Sequence, residues 1–176
     1  MYGLVSQIKW PIYVLIERQK VTGVLAEAHW SGSSLAAVIL GVGTNVGHAS
    51  IDESVLSRSA VLFPATCLED RLGKPVDRLE LLREILSMIL AWRARLATPE
   101  FLQAWEARLA FRGEWVQVSS GQSPGKDGLP HDLEELPVPV HEGQVIGLAP
   151  DGSLRLRTRT GETVMVHVGE VRLAPV

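Results

Sequence analysis

Leu35 to Val42 reads LAAVILGV, a run with no polar side chain, set between Ser31-Gly32-Ser33-Ser34 and Gly43. Such a run carries no polar face, so it suits a strand covered on both sides. The β-rich run before it, VTGVLAEA from Val21 to Ala28, is joined to it by the short polar segment His29 to Ser34. A connection this short fits neighbouring antiparallel strands. LAAVILGV falls well short of the roughly 20 residues that a membrane helix needs. Met1 to Lys9 is too short and mixed for a signal peptide. The expectation is a soluble protein of the cytoplasm that makes no use of a membrane.

Helical periodicity follows. Asp77 to Arg95 spaces Leu79, Leu82, Ile85, Leu86, Ile89 and Trp92 three and four apart, the apolar face of an amphipathic helix. Asp77 suits the N-cap, with Glu80 three residues on. Thr98-Pro99-Glu100 opens a second helix with Pro99 at its first position, carrying Leu102, Trp105 and Leu109. From Gly113 the texture turns to short β-runs: Trp115 to Val118, Gly143 to Leu148, Ser153 to Thr158 and Thr163 to Val168. Turn signals at Asp151-Gly152 and Thr160-Gly161 separate them in the manner of a small barrel. Ser119 to Val140, with four prolines and three glycines, reads as a mobile loop.

Composition narrows the function. Of 176 residues, 17 are Lys or Arg and 20 are Asp or Glu, a net charge of −3 that disfavours DNA as the main ligand. Cys67 is the one cysteine, so no internal disulfide forms, and its apolar setting suits a small core residue. His29, His48, His131, His141 and His167 are scattered without ligand spacing, so no metal site is expected.

Three local features invite a chemical reading. Lys9-Trp10-Pro11 closes a short β-run; Lys20 stands at the mouth of a strand that contains Gly23; Gly41, Gly43 and Asn45 end the next strand. Glycines within or just after strands mark close approach of another backbone or a ligand. Taken one by one, Lys20 also suits a solvated surface charge, the glycines and Asn45 a turn, and Trp10 a packing residue.

In combination these segments resemble the biotin–protein ligase family. KWPIYVLIERQKVTGVLAE, Lys9 to Glu27, is similar to the family's KWPNDVLI…RKVAGIL without gaps, and GVGTNV, Gly41 to Val46, to its GIGINV. Pro64-Ala65-Thr66-Cys67-Leu68 resembles PATSL, and Glu142 to Val171 the family's small SH3-like domain. The resemblance implies an α/β (α+β) fold: the later part of a ligase-like mixed sheet with helices over 1–111, then an SH3-like barrel over 112–176. It also implies a two-step reaction with biotin and ATP as substrates and Mg²⁺ expected. Biotin is adenylated, then transferred to a lysine of the biotin carboxyl carrier domain of a carboxylase.

By that resemblance Lys20 is the catalytic cation and a biotin contact, and Gly23, Gly41 and Gly43 line the biotin pocket. Asn45, Lys9 and Trp10 then fall on the nucleotide side. A fixed ammonium suits a step that develops charge on carboxylate and phosphate oxygens.

The chain departs from the pattern in two places. Ile12 and Tyr13 stand where the family has Asn-Asp, and neither supplies a carboxylate. The family's Gly-Arg-Gly-Arg loop and its helix-turn-helix have no counterpart in these residues, so turnover by this chain alone and DNA binding are not expected. A non-catalytic biotin- or carrier-binding role is the alternative, and an unrelated α/β interaction domain a weaker one. A sheet stripped of neighbours also implies an exposed edge and self-association.

Overall fold

The computed structural model describes residues 3–48, 64–96, 98–119 and 139–175. Packing divides the chain into two compact units: Met1–Ile8 with Ile12–Glu84, and Lys9–Pro11 with Ile85–Val176. The division expected from texture, after residue 111, is one of composition; the division by packing falls inside a helix.

The first unit is built on a sheet of order β1-β2-β3-β4, from β1 (Ser6–Lys9), β2 (Tyr13–Ile16), β3 (Gln19–Ser31) and β4 (Ser34–Thr44). Glu17 and Arg18, both at positive φ (48° and 62°), turn β2 into β3, the backbone geometry that matches strand twist in a two-residue hairpin. A lone parallel bridge from Lys20 to Ala65 makes the sheet mixed. The β3–β4 hairpin is longer than the sequence suggests. Trp30 pairs with Leu35 and Ser31 with Ser34, which leaves Gly32-Ser33 as the turn. His29, Trp30 and Ser31 are therefore strand, because the backbone ladder outweighs side-chain polarity there.

LAAVILGV does form a strand, but the expected cover on both faces is not found among the described residues. Leu35, Val38, Ile39 and Leu40 are 48–56% exposed. Among the described residues β4 is an edge strand, hydrogen-bonded to β3 alone, and no described element packs closely over its faces. The core of the unit lies at the other end of the hairpin, where Ile16, Val21, Leu68 and Val76 are buried with Val14, Val46, Leu72 and Leu81 around them.

Two helices follow, α1 (Leu68–Leu72) and α2 (Arg78–Arg93). Asp77 Oδ1 accepts from the amides of Leu79 and Glu80 at 2.9 and 3.1 Å, the expected N-cap. The expected apolar face is not buried: Leu79 is 75% exposed, while Leu81 packs on the core and Ile85 and Trp92 are half-buried. No described helix is long and apolar enough to cross a membrane.

In the second unit α3 (Pro99–Glu106) starts at Thr98, whose hydroxyl accepts from the Phe101 amide. Phe101 stands edge-on to both Trp92 and Trp105, with ring centroids 5.8 and 6.2 Å apart. An antiparallel sheet of order β8-β7-β6-β5-β9 follows: β5 (Trp115–Ser119), β6 (Pro139–Leu148), β7 (Leu154–Arg157), β8 (Thr163–Val166) and β9 (Glu170–Leu173). Strand β9 escapes a reading by hydropathy, because EVRL is short and mixed. It forms because Val171 pairs with Val118 and both are buried. Residues 120–138 of the proline-rich loop lie outside the described residues; Ser119 and Pro139 belong to strands. Gly147 (φ 144°) packs where a Cβ would collide with the Glu106 carboxylate, which accepts from the Leu148 amide at 2.6 Å.

Leu156 is fully buried in β7, so Leu156→Ala should cost the second unit about 2–5 kcal/mol in denaturant unfolding. Hydrogen bonds from Gln117, then Arg159, hold the Glu142 carboxyl below the usual glutamate range. A lowered folded-state value stabilises above the unfolded value, and the gain is lost as pH falls through the folded one. Glu142→Gln should therefore lower Tm at pH 7, and the gap to wild type should close on acidification below about pH 4.

Candidate functional site

The site begins with an irregularity in a ladder. Val14 pairs with Thr22 but Leu15 pairs with Lys20, so Val21 is an extra residue on β3. A bulge of this kind shifts the alternation of side chains by one and re-aims those around it. Val21 turns into the core at 3% exposure. Lys20 comes onto the face that Gly23 presents: a Cβ on Gly23 would lie 3.6 Å from Lys20 Cε and 3.7 Å from its Nζ.

That face extends across three strands. Tyr13, Gly23 and Gly43 are direct cross-strand partners, and Leu25 pairs with Gly41 one step along. Partners in an antiparallel ladder point to the same side, as do residues two apart. Lys20, Gly23, Gly41 and Gly43 thus share one face of one sheet. A Cβ at Gly43 would meet nothing within 4 Å, so the surface above it is open. The Lys20 ammonium lies 3.8 Å from the centroid of the Tyr13 ring, an attraction between cation and ring quadrupole. The opposite face carries Thr22 and Thr44, whose hydroxyls are 3.1 Å apart.

A second segment fixes the end of this face. The Lys20 amide donates to Pro64 O and the Thr66 amide to Lys20 O, both at 2.9 Å. Asn45 Nδ2 donates to Thr66 O at 3.1 Å, which ties the GVGTNV and PATCL segments together. Arg71 extends the tie: its Nε donates to Thr66 Oγ1 at 2.8 Å, and its other nitrogens reach Glu17 and Gln19. Arg71 was not singled out by the sequence, since partnership across more than 50 residues leaves no local signal; Tyr13 stood out only as a departure from the family pattern, not as the partner of Lys20.

Lys9 and Trp10 behave differently. Both side chains belong to the second unit. Lys9 is buried with its Nζ 3.5 Å from the Glu170 carboxylate, and Trp10 Nε1 donates to Gly152 O at 3.0 Å. The structure therefore groups Lys20, Gly23, Gly41, Gly43 and Asn45 in one unit and Lys9 and Trp10 in the other.

The histidines offer one departure from their scattered look. His48 Nδ1 lies 3.2 Å from Asp70 Oδ2, and one ligand atom each from His48, Cys67 and Asp70 fall within 4.8 Å of one another. Hydrogen bonding to His48, then to Cys67, holds the Asp70 carboxyl below the usual aspartate range, while burial pushes the Cys67 thiol up.

No family model matches the sequence. The biotin–[acetyl-CoA-carboxylase] ligase of Paracoccus denitrificans is 34% identical over 161 residues, 90% of this chain and 59% of that enzyme. The apo biotin protein ligase of Aquifex aeolicus superposes with a TM-score of 0.69 at 26% identity, covering 96% of this chain and 65% of that one. The Aquifex aeolicus enzyme in complex with biotin and ATP gives 0.66 at 26% identity, over 97% and 62%. The chain thus spans about three-fifths of the length of the relatives it matches. By sequence and by fold, it is a homologue of the biotin–protein ligases.

Proposed function

We propose that the Lys20 face of β2, β3 and β4 binds biotin, and that the activity it serves is ATP-dependent biotinylation of a carrier protein. The observation that carries this reading is the bulge at Val21, which sets one ammonium beside Gly23, whose cross-strand partner is Gly43. Gly23 and Gly43 leave a flat floor on which an aliphatic tail can lie against backbone, and the ammonium stands at one end for its carboxylate. In the first step the biotin carboxylate oxygen attacks the α-phosphorus of ATP, forming the acyl-adenylate and releasing pyrophosphate. In the second a lysine amine of a biotin carboxyl carrier domain attacks the acyl carbon, forms the amide and releases AMP. Lys20 acts in both by stabilising negative charge on carboxylate and phosphate oxygens.

On the nucleotide side we retain Asn45, whose tie to Thr66 orients it. The resemblance also puts Lys9 and Trp10 on the nucleotide side, and in the second unit they are held by Glu170 and Gly152. Magnesium enters as MgATP. The pair Ile12 and Tyr13 does not fit it: Ile12 has no donor oxygen, and the Tyr13 ring is already engaged by Lys20. No step is therefore routed through a metal held there. The exposed edge of β4 supports self-association by strand pairing with a second copy.

Calorimetric titration with biotin tests the binding face. Lys20→Ala should weaken biotin roughly tenfold or more, the value of a hydrogen bond to a charged group, and Gly43→Val should block it. Unchanged affinity in both variants would overturn the reading. Adding MgATP and a carrier domain then separates ligation, seen as labelled carrier and released pyrophosphate, from biotin binding alone. Sedimentation should show a concentration-dependent oligomer that Ile39→Lys shifts to monomer; a monomer at all concentrations would contradict edge pairing.

A further inference from the structure

We propose that His48, Cys67 and Asp70 form a binding site for one divalent transition ion of the zinc class, beside the end of the biotin-binding face and distinct from it. The three ligand atoms, an imidazole nitrogen, a thiol sulfur and a carboxylate oxygen, lie within 4.8 Å of one another. Tetrahedral zinc with bonds of about 2.0–2.3 Å holds its ligand atoms on the order of 3.5 Å apart, so closing around an ion takes rotamer adjustments and no change of fold. An N, S, O set selects zinc, cobalt or cadmium over magnesium or calcium, which prefer oxygen alone.

The backbone already holds the ligands together. His48 follows Asn45-Val46-Gly47, and Cys67 to Asp70 is the turn that starts α1. The Leu68 amide donates to Asn45 O and the Glu69 amide to Val46 O, both at 3.0 Å. Two adjacent hydrogen bonds thus clamp the histidine segment onto the cysteine–aspartate turn. Gly47 lies against the same turn, where a Cβ would meet the Glu69 carboxylate at 2.8 Å. The clamp makes the site largely preformed, and less entropy is lost when an ion binds.

Exposure is graded as an entry path requires. Cys67 is buried, while the His48 and Asp70 side chains are 83% and 46% exposed. An ion arrives from solvent onto His48 and Asp70 and is anchored by the sulfur beneath. Binding forms three metal–ligand bonds and releases the thiol proton to solvent, and a water completes the tetrahedron. Thr66, which accepts from Asn45, precedes Cys67 directly, so an occupied site stiffens the end of the face that carries Lys20.

The test is titration of the intact, reduced chain with Co²⁺, followed by displacement with Zn²⁺. A thiolate-to-cobalt charge-transfer band should saturate at one ion per chain and disappear on adding Zn²⁺. Cys67→Ser should abolish the band, and His48→Ala and Asp70→Asn should each weaken Co²⁺ roughly tenfold or more, as loss of one of three ligands requires. His167→Ala, in the second unit, should change nothing. His48 is exposed, so its variant folds regardless and keeps the test decisive if Cys67→Ser does not. No charge-transfer band in the wild type, or a titration unchanged in His48→Ala, would overturn the proposal. The readout uses neither biotin nor ATP, so its failure is separate from failure of the biotin reading.

Discussion

The first unit depends on one exchange of amides. Lys20 donates to Pro64 and accepts from Thr66, two hydrogen bonds that tie β3 to a segment more than 40 residues later. A buried backbone group left without such a partner costs on the order of 1–3 kcal/mol, so the pair sets where the later segment can lie. Once Thr66 is placed there, its carbonyl is available to Asn45 and its hydroxyl to Arg71. The bulge at Val21 belongs to the same arrangement: the extra residue turns inward to the core and leaves Lys20 facing outward. The Lys20 ammonium therefore owes its orientation to backbone hydrogen bonding and to the inward turn of the neighbouring Val21.

How much of this was readable in advance depends on the range of the interaction. Asp77 and Thr98 as caps, Pro99 at the start of α3 and the glycine turns at 152 and 161 are local chemistry, and each stands where the pattern puts it. The glycines and Lys20 were picked out by the family resemblance of the segments that hold them. Their common face was not, because strict alternation puts Lys20 and Gly23 on opposite sides and a bulge has no reliable sequence mark. The apolar face of α2 failed for a related reason. Periodicity reveals that a helix is amphipathic, but which residue turns inward depends on the partner, and here Leu81 was outside the anticipated stripe.

Tyr13 shows how a departure from a family pattern can be read physically. The family's aspartate there would offer a lysine a carboxylate; the tyrosine offers a ring face at 3.8 Å. Both attract a cation, the one through a negative charge and the other through the quadrupole of its ring face. The Lys20 ammonium lies on the face that Gly23 presents, against the Tyr13 ring.

The short stretch Lys9–Pro11 has a consequence for how the second unit comes together. Its members meet Glu170 and Gly152 across 161 and 142 residues, among the longest separations that a chain of 176 residues allows. Closing so large a loop is entropically costly and slows folding. During synthesis the indole of Trp10 leaves the ribosome 142 residues ahead of Gly152 and lacks its native acceptor until the β6–β7 turn has also emerged. Until then one of the most hydrophobic side chains of the second unit waits in solvent, a window in which a chaperone or a neighbouring nascent chain can compete for it.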